Sequence, residues 1–322
     1  MTLLLREADV DRLVTMPDMI EALDAALHAQ GAGQATNEPR RRVRVPGGTL
    51  HIMSAALPAQ GVLGFKAYTG FRPKTRFLVA VFDSTSGALL ALIEADRLGQ
   101  LRTGAATGLA TRYMARQPAP GATLTLGCFG AGYQAETQVE AICAVRSIGA
   151  IRVYSPTPDK REQFAARLSA RLGVPVTPVA QPAGAAAADI LVTASTAREP
   201  VLEADQVAPG THINAVGSNM LGRRELPDAL VGRADRVVVD SREQARLEAT
   251  DLVAPIERGL LYWERVAELR EVVAGTVPGR GGPDEITLFK SLGLALEDVA
   301  AGALVYRRAL EQQAGEQVRF LD

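Results

Sequence analysis

Residues 124–135 read LTLGCFGAGYQA, and this stretch decides the fold. An apolar run of strand length leads into the pattern Gly-x-Gly-x-x-Ala, formed by Gly130, Gly132 and Ala135, and a helical pattern follows at once. Gly130 permits a tight turn, Gly132 lets the backbone approach a pyrophosphate, and Ala135 lets the helix pack on the strand. A second strand pattern at 151–154 completes the context that this motif requires. The stretch therefore predicts a Rossmann-type site for a nicotinamide dinucleotide.

The bulk composition limits the classes of function. The chain has 322 residues, with 35 basic and 36 acidic side chains and a formal net charge of −1. This length suits two domains, and the balanced charge offers no reason to expect nucleic acid or an anionic membrane as a partner. No signal peptide and no apolar run of membrane-spanning length is apparent, so we expect a cytoplasmic protein. Two cysteines and three scattered histidines predict neither a disulfide nor a metal site.

The periodicity along the chain predicts two domains. Residues 119–290 alternate strand and helix patterns, which is typical of a doubly wound parallel sheet. Its strand patterns lie at 124–129, 151–155, 174–178, 189–193, 212–216 and 236–240. Residues 1–118 have helices at 15–31 and 97–116 and strand patterns at 43–45, 50–53, 64–68, 77–83 and 88–94. A last amphipathic helix at 292–311 returns to this first domain, so 291–322 completes it. The prediction is an α/β protein with a Rossmann domain and a second, α+β domain.

The end of the second Rossmann strand distinguishes NAD from NADP. An acidic residue there would bind the ribose 2′-hydroxyl of NAD. This chain has Ser155 at that position, followed by Thr157, Lys160 and Arg161. A hydroxyl with cations nearby suits a 2′-phosphate, so the sequence favours NADP(H), with NAD(H) as the alternative. The competing interpretation is that Lys160 and Arg161 only begin a solvated helix.

Five segments together resemble the ornithine cyclodeaminase/μ-crystallin family. They are GFKAY (64–68), LRTGAA (101–106), GAGYQA (130–135), THINAVG (211–217) and TLFKSLGL (287–294). The resemblance implies a homodimer whose first domain binds substrate and forms the dimer interface. The family includes ornithine cyclodeaminases, amino-acid dehydrogenases, ketimine and Δ1-pyrroline-2-carboxylate reductases, and a lens crystallin that binds NADPH and thyroid hormone.

The resemblance also implies which residues face the substrate, namely Arg42, Lys66 and Arg102. The choice of Arg42 over Arg41 depends only on spacing to Met53 and Lys66. The chemistry is consistent with this set, because a guanidinium binds a carboxylate with two parallel hydrogen bonds. Two nearby arginines would also lower the pKa of Lys66 and make it a usable proton donor.

A further set of residues is expected, from the motifs and the resemblance, to bind the cofactor. Beyond the glycine motif and the end of the second strand, Thr103 should reach the cofactor phosphates. The remaining expected cofactor residues are Tyr133, Gln134, Thr193, Ala194, Ser195, Val216, Gly217, Ser218 and Lys290.

Two departures from the cyclodeaminase pattern affect the predicted reaction. Asn219 stands where cyclodeaminases have an aspartate, and it can hydrogen-bond an amine or water but cannot act as a base. His51 stands where they have a second acid, and it is expected either to line the pocket or to pack. The sequence therefore favours reduction of an α-imino acid, or oxidation of the matching amino acid. Ornithine cyclodeamination and a non-catalytic NADPH-dependent binding protein are the alternatives. Glu297 and Asp298, near a helix start, are expected to complement the helix dipole.

Overall fold

The structure is a computed structural model that describes residues 1–320. It contains two compact units. Unit 1 comprises Met1–Ala105 together with the chain from Gly293 onward, and unit 2 comprises Ala106–Leu292. The first division lies within a helix that continues past Ala105, upstream of the Pro- and Gly-containing segment 117–121 where the sequence predicts a linker.

The helices and strands of the described residues begin and end with strands of unit 1. In chain order they are β1 (Thr2–Leu5), α1 (Glu7–Leu13), α2 (Met16–Gly31), β2 (Thr36–Asn37), β3 (Arg41–Val45), β4 (Gly48–Leu57), β5 (Val62–Phe71), β6 (Thr75–Asp83), β7 (Leu89–Glu94), α3 (Asp96–Met114), β8 (Leu124–Phe129), α4 (Tyr133–Val145), β9 (Ile148–Tyr154), α5 (Pro158–Leu172), β10 (Val176–Val179), α6 (Pro182–Ala186), β11 (Ile190–Thr193), β12 (His212–Ala215), α7 (Asp228–Arg233), β13 (Arg236–Val239), α8 (Arg242–Glu248), α9 (Thr250–Glu257), β14 (Val266–Glu268), α10 (Leu269–Val273), β15 (Thr287–Lys290), α11 (Ala295–Gln312) and β16 (Glu316–Val318).

Unit 1 is built on a mixed eight-stranded sheet in the order β16-β1-β7-β6-β5-β4-β2, with β3 also paired to β4. Strands β4 to β7 form an antiparallel meander, whereas β1 runs parallel to β7. Helix α11 packs against β4, β5 and β6 and against α2. The helix approaches the sheet closely because Gly302 faces Val79, Val81 and Ile93, where an added Cβ would lie 2.9 Å from the Val81 side chain. We call the face that α11 covers the inner face and the opposite one the outer face.

Unit 2 is an eight-stranded parallel sheet in the order β10-β9-β8-β11-β12-β15-β13-β14. Strands β11 and β12 are buried along their whole length, as expected when helices cover both faces. This confirms the predicted doubly wound α/β fold. The sheet has two strands that the sequence did not predict, β14 and β15. Strand β15 enters between β12 and β13, and its four residues are too short to show a period.

Unit 1 also exceeds the prediction, because β1, α1, β2 and β16 were not expected. The short strands β1 and β16 lie near opposite ends of the chain and pair with each other, and no local sequence pattern predicts a pairing between such distant segments. Among residues 1–320, no helix is both long and apolar enough to cross a membrane.

Candidate functional site

The glycine turn between β8 and α4 has the geometry that its motif predicts. Gly130 adopts φ +122, and a Cβ added there would lie 2.4 Å from the carbonyl oxygen of Ala194. Only glycine fits such a position. A Cβ added at Gly132 would meet nothing within 4 Å, so the backbone faces open space there. Ala135 is fully buried under the start of α4, which lets the helix pack on the sheet.

A cavity of about 870 Å³ opens at this turn. Seven of the residues predicted to bind the cofactor line it: Gly130, Gly132, Ser155, Thr157, Lys160, Ala194 and Ser195. The lining also includes the cations Arg167 and Arg198 and the acid Glu199. A concave site with a glycine turn at its base and cations in its wall suits an anionic dinucleotide.

The other predicted cofactor residues have varied surroundings. Tyr133 and Gln134 lie in the first turn of α4 with exposed side chains, and Val216, Gly217 and Ser218 follow the end of β12. Arg161 donates a hydrogen bond to the Ser155 carbonyl at 3.0 Å. In α3, Thr103 donates to the Gly99 carbonyl at 2.7 Å. Asn219 is exposed beyond Ser218. The roles of these residues stay predictions.

A buried carboxylate, Glu225, joins the ends of two central strands. It accepts hydrogen bonds from the Thr193 hydroxyl at 2.8 Å, from the backbone and side chain of Ser195 at 2.7 Å each, and from the Gly217 backbone at 2.7 Å. Burial raises the pKa of this carboxyl above its usual value. Glu225 therefore fixes the loops after β11 and β12, of which Ser195 lines the cavity. Sequence reasoning missed it, because Glu225 lies among surface-like polar residues.

Lys290 takes part in the same network and is not in the cavity wall. Its side chain is 1% exposed, and its ammonium lies 3.0 Å from one Asp251 carboxylate oxygen. The other Asp251 oxygen accepts hydrogen bonds from the backbone N–H groups of Glu225 and Leu226. Lys290 therefore forms an internal ion pair in the central strand β15, and its expected role in cofactor binding stays a prediction.

A second group of charges lies in unit 1, centred on Lys66. Lys66 is on the inner face of β5, opposite Met53 on β4, and is only 3% exposed. Its Nζ donates to Asp298 Oδ1 at 2.9 Å. Arg102 donates from Nε to the same oxygen at 3.0 Å and from Nη1 to Glu297 at 2.6 Å. Together with the buried Arg40, these four residues form what we call the buried charge cluster: Arg40, Lys66, Arg102, Glu297 and Asp298.

The sequence-based expectation for Glu297 and Asp298 was incomplete. Both lie in the first turn of α11, as a dipole role requires, but both are fully buried and pair with the cations that the sequence singled out. Asp298 and Lys66 are 232 positions apart in the chain, so no local pattern could connect them.

The pKa of Lys66 is lowered to about 8, chiefly by burial and also by the positive charges of Arg102 and Arg40, while Asp298 opposes the shift. Burial disfavours an ammonium, and a neighbouring carboxylate stabilises it. A lysine with this pKa can hold and release a proton near neutral pH.

The arginine beside Lys66 is Arg40, not Arg42. Arg40 is buried, with its Nε 3.4 Å from Met53 Sδ and its Nη2 3.4 Å from the Gly293 carbonyl. Arg42 is opposite His51, one step further along the same face. The spacing argument missed Arg40 because the length of the β3–β4 hairpin cannot be counted from sequence.

His51 packs in a ladder of rings. It stacks on Tyr68 with ring centroids 4.1 Å apart, and Tyr68 stacks on Phe77 at 5.2 Å. The Lys66 ammonium lies 5.9 Å from the Tyr68 ring and 5.4 Å from the Phe77 ring. Burial, together with the charges of Arg42 and two other arginines, lowers the pKa of His51 to about 4, so this imidazole is neutral at pH 7.

Comparison with known proteins gives a consistent picture. Residues 1–313 match the sequence model of the Ornithine cyclodeaminase/mu-crystallin family. The chain is 40% identical over 245 residues to a Δ1-pyrroline-2-carboxylate reductase of Bacillus cereus, a match that covers 76% of this chain and 74% of the relative.

Two solved structures share the whole architecture. The Δ1-pyrroline-2-carboxylate reductase of Thermococcus litoralis, in complex with NADH and L-proline, superposes with a TM-score of 0.92 at 35% identity and covers 98% of this chain and 100% of its own. An archaeal alanine dehydrogenase dimer with bound NAD superposes with a TM-score of 0.93 at 32% identity, covering 99% of each chain.

Proposed function

Because this chain belongs to the ornithine cyclodeaminase/mu-crystallin family, we propose that it is an NAD(P)-dependent reductase of α-imino acids, which also oxidises the matching amino acids. Reduction of a ketimine such as Δ1-pyrroline-2-carboxylate is the reaction to test first. The observation that carries the proposal is the buried charge cluster of unit 1.

The cluster brings three buried cationic side chains together, Arg40, Lys66 and Arg102. Guanidinium and ammonium groups that lie close together suit an anionic ligand with a carboxylate. Every α-imino acid has such a carboxylate, and a guanidinium can bind it with two hydrogen bonds.

Lys66 supplies the proton in this proposal. Once the carboxylate is held by the arginines, the lowered pKa of Lys66, about 8, lets its ammonium protonate the imine nitrogen. The nicotinamide, when bound, supplies the hydride. Asp298 holds the Lys66 ammonium by the hydrogen bond at 2.9 Å.

The residues of unit 2 fit a dinucleotide, and their charges favour NADP(H). Ser155 offers a hydroxyl where NAD-binding proteins have a carboxylate. The cavity wall contains Lys160, Arg167 and Arg198 against one acid, Glu199. This excess of cations suits a 2′-phosphate, whereas NAD(H) would place a neutral ribose there.

Cyclodeamination of ornithine fits this site less well. Asn219 and His51 both lack the carboxylate that the cyclodeaminase pattern has, and His51 is neutral. Asn219 cannot act as a base, and neither side chain supplies the carboxylate that assists ring closure in the cyclodeaminase pattern.

A homodimer formed through the outer face of the unit 1 sheet is also part of the proposal. Large apolar side chains are exposed on this face, among them Val43 (58%), Ile52 (41%), Leu63 (38%) and Leu78 (37%). Exposed apolar patches of this kind mark interfaces. The dimer of the archaeal alanine dehydrogenase supports the assignment. Light scattering of the pure protein should give a molar mass twice that of one chain. Substitution of Ile52 and Leu78 by charged residues should dissociate the dimer and reduce the measured molar mass to that of one chain.

The proposed reaction is tested by mixing pure protein with Δ1-pyrroline-2-carboxylate and NADPH, with NADH in parallel, and following the loss of reduced-nicotinamide absorbance. Lys66→Met is the matched control, and its turnover should fall by about 10²–10⁴-fold, as expected for a lost acid–base group. No oxidation of either cofactor by the wild-type protein would contradict the proposal. Ammonia release from L-ornithine with NAD would then identify a cyclodeaminase.

A further inference from the structure

The start of helix α11 is capped from another part of the chain. The first N–H groups of a helix have no acceptor within the helix. Leu294, the residue that precedes α11, offers no side-chain hydrogen bond to it. Asn37 of strand β2 takes this role, because its Oδ1 accepts a hydrogen bond of 2.9 Å from the backbone N–H of Leu296, the second residue of the helix. Asparagine is among the residues that cap helices most effectively.

Asn37 lies on the inner face, one row of side chains away from Lys66. It is opposite Ala55 on β4, which is in turn opposite Gly64 on β5. This row has little side-chain volume, and a Cβ added at Gly64 would lie 3.3 Å from the Val299 side chain of α11. Lys66 is in the next row of the same face, about 7 Å further along the strand. The contact between Asn37 and α11 is therefore made beside the buried charge cluster.

The first turn of α11 contains the carboxylate that pairs with Lys66. Asp298 follows Leu296 by two residues, and its Oδ1 accepts from Lys66 Nζ at 2.9 Å. The Asp298 carboxylate stabilises the Lys66 ammonium, whereas two neighbouring guanidinium groups disfavour it. The protonation of Lys66 therefore depends on where the first turn of α11 holds Asp298. The groups that face Lys66 are Asp298 on α11, Arg102 on α3, Arg40 just before β3, and the rings of Tyr68 on β5 and Phe77 on β6.

We propose that Asn37 is a positioning residue for the proton donor: its cap fixes the first turn of α11 and thereby holds Asp298 against Lys66. The inference rests on the proposed function, in which Lys66 gives its proton to the imine nitrogen. Asn37 acts only through Asp298. An amide suits this task, because its oxygen accepts from the helix and it adds no charge beside the cluster.

The first measurement is the titration of Lys66 itself, followed by NMR on protein labelled with 13C in its lysine side chains. The chain has four lysines, at positions 66, 74, 160 and 290, and Lys66→Met identifies the signal. The wild-type pKa should be about 8. Asn37→Ala removes the cap and lets Asp298 retreat. A lengthening of the 2.9 Å contact by about 0.5 Å lowers the pKa of Lys66 by about half a unit, at an effective dielectric constant of about 20.

The alkaline limb of the kcat/KM profile for Δ1-pyrroline-2-carboxylate should move with this titration. In Asn37→Ala the limb should lie about half a unit lower, so kcat/KM on the descending side should be about 3-fold below the wild-type value. Asn37→Ser should behave alike, because its hydroxyl oxygen is one bond closer to the backbone than the amide oxygen. Asn37→Asp keeps an accepting oxygen, and its limb should lie at the wild-type position or above it, since the added charge also favours the ammonium.

Thr15→Ala is the matched control. Thr15 caps α2, where its Oγ1 accepts from the Asp18 backbone at 3.3 Å, and that helix contains no residue of the buried charge cluster. Loss of either cap should lower the midpoint of thermal unfolding by a similar amount, but only the loss at Asn37 should move the Lys66 titration.

Two results would overturn the inference: a Lys66 titration that is unchanged in Asn37→Ala and Asn37→Ser, or an equal shift in Thr15→Ala. The NMR titration needs no turnover. If the wild-type protein reduced no imine, the proposed function would fail, and the titration would still decide whether Asn37 positions the pair of Lys66 and Asp298.

Discussion

Asp298→Asn tests whether Lys66 is the proton donor. The substitution keeps the size of the side chain and removes the carboxylate charge that accepts from Lys66 at 2.9 Å and from Arg102 at 3.0 Å. The wild-type pKa of Lys66 is about 8, because burial lowers it while Asp298 raises it. Without the carboxylate, only the lowering influences remain, so the pKa of Lys66 falls.

The size of the shift follows from Coulomb's law. Two unit charges 2.9 Å apart, the Lys66–Asp298 distance, interact by about 1.4 kcal/mol even at the dielectric constant of water, and by several times more at the value that suits protein interiors. One pKa unit corresponds to about 1.4 kcal/mol. The pKa of Lys66 in Asp298→Asn should therefore fall by at least about one unit, to about 7 or below.

The assay is the pH profile of kcat/KM for imine reduction by the wild-type and variant proteins. Activity should decline on the alkaline side as Lys66 loses its proton, at about pH 8 in the wild type, and the decline should start at least about one unit lower in Asp298→Asn. Because both proteins receive the same substrate, its own ionisation cancels in the comparison. Glu297→Gln is the matched control. Glu297 pairs with Arg102 and not with Lys66, so this variant should raise KM and leave the alkaline limb nearly in place.

One outcome would refute the reasoning outright: an alkaline limb at the same pH in Asp298→Asn and the wild type. Lys66 would then not be the titrating donor. A shift of equal size in Glu297→Gln would attribute the effect to the general charge of the cluster and not to the Lys66–Asp298 contact.

Four further outcomes follow from the structure. Ser155→Asp should move the ratio of kcat/KM values from NADPH towards NADH, because a carboxylate repels a 2′-phosphate and accepts from a ribose hydroxyl; an unchanged ratio would contradict the NADP(H) assignment. Glu225→Ala leaves buried donors without an acceptor, so thermal denaturation should show a loss of about 3 kcal/mol or more, together with a raised KM for NADPH. Gly130→Ala places a Cβ 2.4 Å from a carbonyl oxygen at φ +122, and titration with NADPH should detect little or no binding. The pKa of Lys66 is lower in the folded chain, at about 8, than the ordinary 10.5, so between these pH values the unfolded chain binds more protons than the folded chain. The free energy of unfolding of the wild-type protein, measured by urea denaturation, should therefore rise by up to about 3 kcal/mol relative to that of Lys66→Met as the pH increases from 8 to 10.5.

The parts of the fold that the sequence predicts are those with a local cause. The turn at Gly130 needs its glycine for reasons that lie within a few residues, and the buried strands on both sides of it are continuous apolar runs. Strand β15 lies between β12 and β13 although it follows both in the chain. The position of β15 in the sheet depends on which strand edges are unpaired once the other strands have assembled, and the local sequence does not predict this.

The same distinction applies to the candidate site. Lys66 is recognisable in the sequence because an ammonium in the middle of an apolar strand requires a polar or charged partner. The sequence does not show which residue is that partner. The partner, Asp298, comes from the opposite end of the chain. Arg40 was missed by two residues, which is one step of side-chain alternation, because the pairing of β3 with β4 decides which arginine is beside Met53.

The degree of burial explains why Arg40 should matter for substrate binding although the sequence did not single it out. Arg40, Lys66 and Arg102 are buried together beside two carboxylates, and water has little access to any of them. A guanidinium in such a place binds a carboxylate more strongly than one at the surface, because little water competes for its hydrogen bonds. Loss of the Arg40 guanidinium in Arg40→Gln should therefore raise KM for every α-imino acid, whereas the same change at the exposed Arg41 should leave KM nearly unchanged. Equal KM values for Arg40→Gln and the wild-type protein would remove Arg40 from the substrate site.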